Sequence, residues 1–158
     1  RNATASLLEP LARVRPKARL KVPELTNYWR SISRDGDGEW DLDPQLRPPS
    51  SWPIRAGWIR AVLSGHAQVA RGLDIKVPIL LLASATSTVA VTWNESMKTS
   101  DSVLDVNLMV QRGLLLGPQV TVCRFENALH DVLLSAGPVR RRVYGKLEQW
   151  ARAFMLKS

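Results

Sequence analysis

The chain has one cysteine in 158 residues, Cys123, and two histidines, His66 and His130. A lone cysteine excludes an internal disulfide, and these three residues have no metal-ligand spacing, so no metal is expected. Cys123 lies inside the apolar run Val120-Thr121-Val122-Cys123-Arg124-Phe125. A thiol in a strand interior packs as a small hydrophobe and is inert, which argues against a nucleophilic role. No apolar stretch is long enough to span a bilayer, so no transmembrane segment is expected. The start, Arg1-Asn2-Ala3-Thr4, lacks the apolar core and cleavage signature of a secretion signal, which leads to the expectation of a cytoplasmic protein. No Met opens the sequence, so a processed or truncated chain is expected. Neither Gly113 nor Gly117 belongs to a phosphate-cradling G-x-G-x-x-G, and no cofactor is expected. Ser33-Arg34-Asp35-Gly36-Asp37-Gly38 reads as a turn and lacks the later ligand positions of a calcium loop. No repeat or low-complexity tract is present. Also missing is G-x-S-x-G, the strand-to-helix turn that holds a serine nucleophile; neither Ser64-Gly65 nor Ser135-Ala136-Gly137 supplies it.

What is present is ordinary for one globular domain: 45% hydrophobic and 23% charged residues. The net charge is +8, from 22 basic and 14 acidic residues spread over several segments. The densest run, Arg140-Arg141-Arg142, falls on a helix and reads as a solvated basic face, so no nucleic-acid partner is expected.

Leu7, Leu8, Leu11 and Val14 are spaced for a short helix over 4–14. Residues 16–51 read as irregular, and Pro44, Pro48, Pro49 and Pro53 break any regular element there. An amphipathic helix is predicted over 53–72, with Pro53 in its first turn, Ile54, Trp58, Ile59, Val62, Leu63 and Val69 on its apolar side and Gly72 at its end. Val77-Pro78-Ile79-Leu80-Leu81-Leu82-Ala83 reads as a strand buried on both faces. A long Ser/Thr-rich loop follows over 84–102, then a helix over 105–116 and a second strand over 119–125. Gly137-Pro138 opens a last helix with Val139, Val143, Leu147, Trp150 and Phe154 on one face. Helix, strand, helix, strand, helix implies an α/β fold with parallel strands. Two strands are marginal alone, and an apolar strand with an open edge invites pairing, so the rest of the sheet is expected to lie elsewhere.

His130 follows the second strand, in Glu126-Asn127-Ala128-Leu129-His130-Asp131-Val132. Taken with Val77-Pro78-Ile79-Leu80-Leu81-Leu82, Asp101-Ser102-Val103-Leu104-Asp105-Val106 and Gly117-Pro118-Gln119-Val120-Thr121-Val122, this order resembles the C-terminal half of an α/β-hydrolase of the monoglyceride lipase, lysophospholipase and serine-aminopeptidase type. Tyr28-Trp29-Arg30-Ser31, Gly38-Glu39-Trp40-Asp41 and Arg55-Ala56-Gly57-Trp58 resemble its cap segment. The resemblance divides the chain into a cap or lid at 1–52 and the C-terminal part of the hydrolase core at 53–158. It implies the chain order nucleophile, acid, histidine. His130 then falls at the base and Asp101 at the acid. Asp105 is the alternative acid, or else caps the following helix. Asp101 is well separated from Ala83, which implies an insertion between strand and acid. Trp29, Trp40, Trp52 and Trp58 either line an acyl pocket under the cap or fill a small core. His66 reads as a helix-surface or satisfied core residue, with substrate contact as a further alternative.

Two function classes follow. One is a portion of a serine hydrolase acting on lipid-like or small acyl esters. It supplies acid and histidine and is inactive alone, and its partner is the N-terminal half of the same hydrolase or another copy of the chain. The other is a non-catalytic interaction module that uses the open sheet edge or the basic face.

Overall fold

The computed structural model describes residues 3–21 and 26–155. The first helix, α1 (Ala3–Val14), packs on α3 (Ala56–Ala70). Ala12 is buried, whereas Leu11 and Val14 of the expected apolar stripe are exposed; the side chains of Leu7 and Leu8 lie outside the described residues. The Glu9 carboxylate, which accepts from Arg13 and Arg60 at 3.1 Å each, ties the two helices together.

Helix α3 starts at Ala56, later than the prolines suggest. The cause is a short antiparallel pairing: Arg19 bridges Arg55, Leu20 N–H donates to Ile54 C=O, and Ala56 N–H donates to Ala18 C=O. That pairing holds residues 54 and 55 extended and leaves Pro53 outside the helix. Gly72 ends this region with φ of 86°, a conformation that favours glycine.

Among the described residues of the stretch read as irregular, one helix forms, α2 (Asn27–Ile32), which buries Ser31 and Ile32. The turn after it is tight: a Cβ on Gly36 would overlap the Arg30 carbonyl, and one on Gly38 the Ile32 carbonyl. Trp40 N–H then returns to Ile32 C=O.

Two strands, β1 (Ile79–Ser84) and β2 (Val120–Phe125), pair in parallel with Ile79 opposite Val120 and Ser84 opposite Phe125. Pro78 precedes the first strand, where its missing N–H disturbs no ladder bond. Between the strands lie an irregular excursion with a 3₁₀ turn at Glu95–Lys98 and then α4 (Val106–Gly113). Gly113 lets α4 lie against Leu81 of β1. A second 3₁₀ turn (Val132–Leu134) leads into α5 (Gly137–Phe154). The fold is therefore α/β, a two-stranded parallel sheet with helices around it.

The main apolar cluster sits under the carboxyl end of β2: Phe125, Ala128, Val132, Val139 and Val143, with Leu82, Cys123 and Leu133 against it. Each large buried side chain of this kind contributes about 1.5–3 kcal/mol. Burial of the first strand differs from expectation. Ala83 and Ser84 are buried, but Ile79 to Leu82 are half-buried and Val77 is 64% exposed. The sheet has no third strand among the described residues to cover them. The basic run is also more structural than a solvated face. Arg140 pairs with Glu39, donates to Ser135 C=O at 2.9 Å and lies over the Trp40 ring, and Arg142 donates to Glu126 C=O.

Candidate active site

Both strands end at the same level, and the loops leaving their carboxyl ends carry Asp101 and His130. In open α/β sheets this is the end where ligands and reacting groups collect. The loop after β1 travels outward and comes back. Ser87 bridges Asp101 in parallel, Asp101 N–H donates to Thr86 C=O at 2.9 Å, and Thr88 N–H donates to Asp101 C=O at 2.8 Å. Asp101 thus sits beside the third residue past the strand despite its distance in sequence.

The loop after β2 turns at Asn127, whose φ of 63° is one that asparagine tolerates better than most residues. The loop is pinned on both sides. Ser84 Oγ donates to Ala128 C=O at 2.7 Å, and Leu129 N–H donates to Ser135 Oγ at 2.9 Å, all within buried surroundings. Beyond it, Trp40 Nε1 donates to Leu134 C=O at 3.0 Å and Gly137 N–H donates to the Glu39 carboxylate. Ala136, at the N-cap of α5, has no polar side chain to satisfy that end, so Glu39 supplies the acceptor and a favourable charge from a distance.

These constraints bring His130 and Asp101 together. His130 Nδ1 lies 2.9 Å from Asp101 Oδ2. The carboxylate side chain is 1% exposed and the imidazole 32%. The other carboxylate oxygen, Oδ1, accepts from Val103 and Leu104 N–H, both at 2.8 Å. Burial alone pushes the Asp101 carboxyl up. The hydrogen bond to His130, the two amides and the imidazole charge outweigh burial and hold it below its ordinary value. A carboxylate accepting at Nδ1 leaves Nε2 as the basic nitrogen, and Nε2 has no partner among the described residues.

Asp105 has another place. It is the N-cap of α4, where Oδ1 accepts from Asn107 and Leu108 N–H at 2.9 and 3.2 Å. The tryptophans are dispersed. Trp40 buttresses the far end of the histidine loop. Trp58 is 55% exposed on α3. Trp29 lines an open cleft of about 560 Å³ with Thr26, Arg30, Asp35, Gly36, Asp37 and Pro49, a set that includes neither His130 nor Asp101. Trp52 and His66 are exposed, and Cys123 is half-buried in β2. No group of His, Cys, Asp and Glu among the described residues is arranged to hold a metal ion. No helix among them is long and apolar enough to cross a membrane.

The aromatic ring against the imidazole is Tyr28, from α2. Its ring centroid lies 5.7 Å from that of His130 at 84°, and its hydroxyl accepts from Asp131 N–H at 3.1 Å. Sequence reasoning groups Tyr28 with the cap but does not place it in the site, because the contact spans over a hundred residues. No protein-family model, curated protein or solved structure matches the chain.

Proposed function

We propose that the chain is a portion of a serine hydrolase acting on carboxylic esters, with lipid-like or small acyl groups as the substrate class. It contributes His130 as general base and Asp101 as the residue that orients it. The observation that carries the reading is the buried Asp101 carboxylate 2.9 Å from His130 Nδ1 at the carboxyl end of two parallel strands. The chain order acid then histidine, each in the loop after a strand, agrees with the resemblance described above.

In this scheme Asp101 accepts from Nδ1–H and His130 Nε2 faces the serine. As the serine oxygen attacks the ester carbonyl, Nε2 takes its proton, and the Asp101 carboxylate stabilises the imidazolium that forms. The imidazolium then protonates the departing alkoxide. Water repeats the sequence to release the acid. The serine and its G-x-S-x-G turn come from outside this sequence, from the N-terminal half of the same hydrolase; a second copy of this chain lacks that turn and can only cover the sheet edge. The half-buried residues of β1 are what such a partner would cover.

In material that contains the serine, His130→Ala is expected to lower ester turnover by about six orders of magnitude and Asp101→Asn by about four, with folding retained. Asp105→Asn is expected to leave turnover nearly unchanged. Undiminished turnover in His130→Ala would overturn the proposal. On the alternative, a non-catalytic module, the open, half-buried sheet edge or the basic face is the functional surface and the histidine pair only braces a loop. Binding of a partner that His130→Ala leaves intact, with no turnover in any form, favours that alternative.

A further inference from the structure

We propose that Tyr28 is a positioning residue that holds the His130 imidazole against Asp101; the role rests on His130 being the base proposed above. His130 is about one-third exposed, and Asp101 fixes only its Nδ1 side. An imidazole held at one atom can still swing about its side-chain bonds into solvent. Tyr28 opposes that swing in two ways. Its ring meets the imidazole in the edge-to-face arrangement that aromatic quadrupoles favour. Its hydroxyl accepts from the Asp131 amide, which fixes the peptide next to His130. Burial, the largest effect on the phenol, pushes its titration up, so the ring keeps its proton. Arg47 lies over the Tyr28 ring at 5.3 Å.

The helix that carries Tyr28 also grips the excursion that delivers Asp101. Asn27 Nδ2 donates to Ala90 C=O at 3.3 Å and Val91 C=O at 2.9 Å, and Ser31 Oγ donates to Met97 C=O at 3.0 Å. Arg30 stacks over Trp93 at 3.9 Å. One short helix therefore holds both loops, and Tyr28 is its contact on the histidine side.

The test reads the Nδ1-bound proton of His130 by NMR on the full chain, through its rate of exchange with water. Asp131 amide exchange is followed beside it. Tyr28→Phe keeps the ring and loses the acceptor, and is expected to speed Asp131 exchange roughly tenfold and His130 Nδ1 exchange roughly threefold. Tyr28→Ala removes both contacts and is expected to speed Nδ1 exchange roughly thirtyfold or more. Ala12→Gly, which weakens α1 away from the site, is expected to lower the melting temperature and leave Nδ1 exchange within about twofold of the parent. Should Tyr28→Ala fail to fold, Tyr28→Phe decides alone. Nδ1 exchange within about twofold of the parent in every folded Tyr28 variant would overturn the role. So would a parent chain in which that proton is not detected. Turnover does not enter this measurement, so loss of the hydrolase proposal and loss of the Tyr28 role give different results.

Discussion

At the scale of single residues, Asp101 and Asp105 make nearly the same local bonds and have different consequences. Each accepts two amide N–H groups from residues two and three positions ahead. Asp105 has no further side-chain partner among the described residues, whereas the second oxygen of Asp101 reaches His130 in a buried setting. The same aspartate turn serves a helix cap in one case and an imidazole in the other, which is why sequence alone leaves the two open as acids. The lowered Asp101 titration has a signed consequence for stability. Its folded form holds the proton less tightly than the unfolded chain, whose ordinary value is 3.8. Its contribution to stability is therefore complete above that value and is lost as pH falls through the lower folded value. Melting temperatures of the parent and Asp101→Asn, followed from about pH 6 to about pH 2, are expected to differ most at the upper end and to converge below the ordinary value. A difference that stays constant over that range contradicts the account. Asp105→Asn keeps a good cap and is expected to follow the parent throughout.

At the scale of elements, the glycines separate tight places from free ones. Gly38 packs against the Ile32 backbone, which cannot yield as a flexible side chain does, and a methyl there forces the turn apart. Gly38→Ala is expected to cost about 2–3 kcal/mol. Gly145, inside α5, has open space where an added methyl would sit, with nothing within 4 Å. Gly145→Ala is expected to add about 0.5–1 kcal/mol through helix propensity. Urea unfolding of both variants checks the pair, and equal effects would contradict the packing described. Some elements are legible in the sequence because their cues are local. β1, β2, α4 and α5 follow from apolar runs, from Asp105 as a cap and from Gly137-Pro138. Helix α2 is not legible there. It is six residues long, and its anchors lie at Ala90, Val91, Met97 and Asp131, far along the chain. The start of α3 differs from expectation for the same reason: its boundary is set by pairing with residues 18–20, which no window around Pro53 contains.

At the scale of the whole molecule, the sheet and the site share one feature: each is partnered on one side. Ile79 to Leu82 pair with β2 and remain half-buried, and His130 pairs with Asp101 through Nδ1 while Nε2 has no partner among the described residues. The position of His130 after a strand is legible from order alone. The closeness of Asp101 is not, because the excursion from 88 to 100 separates it from the strand, and only its bridge to Ser87 restores the neighbourhood. The proposed serine hydrolase, completed from outside this sequence, is one arrangement that accounts for both one-sided partnerships. The most direct test is fluorophosphonate labelling with mass-spectrometric mapping of the modified residue. It is run on this chain alone and on this chain with the N-terminal half proposed to complete its sheet. No labelled serine is expected in the chain alone, and in the completed protein one labelled serine is expected, within G-x-S-x-G and lost when His130 is replaced by Ala. A labelled serine in the chain alone, or labelling of the completed protein that persists in His130→Ala, would contradict the proposal.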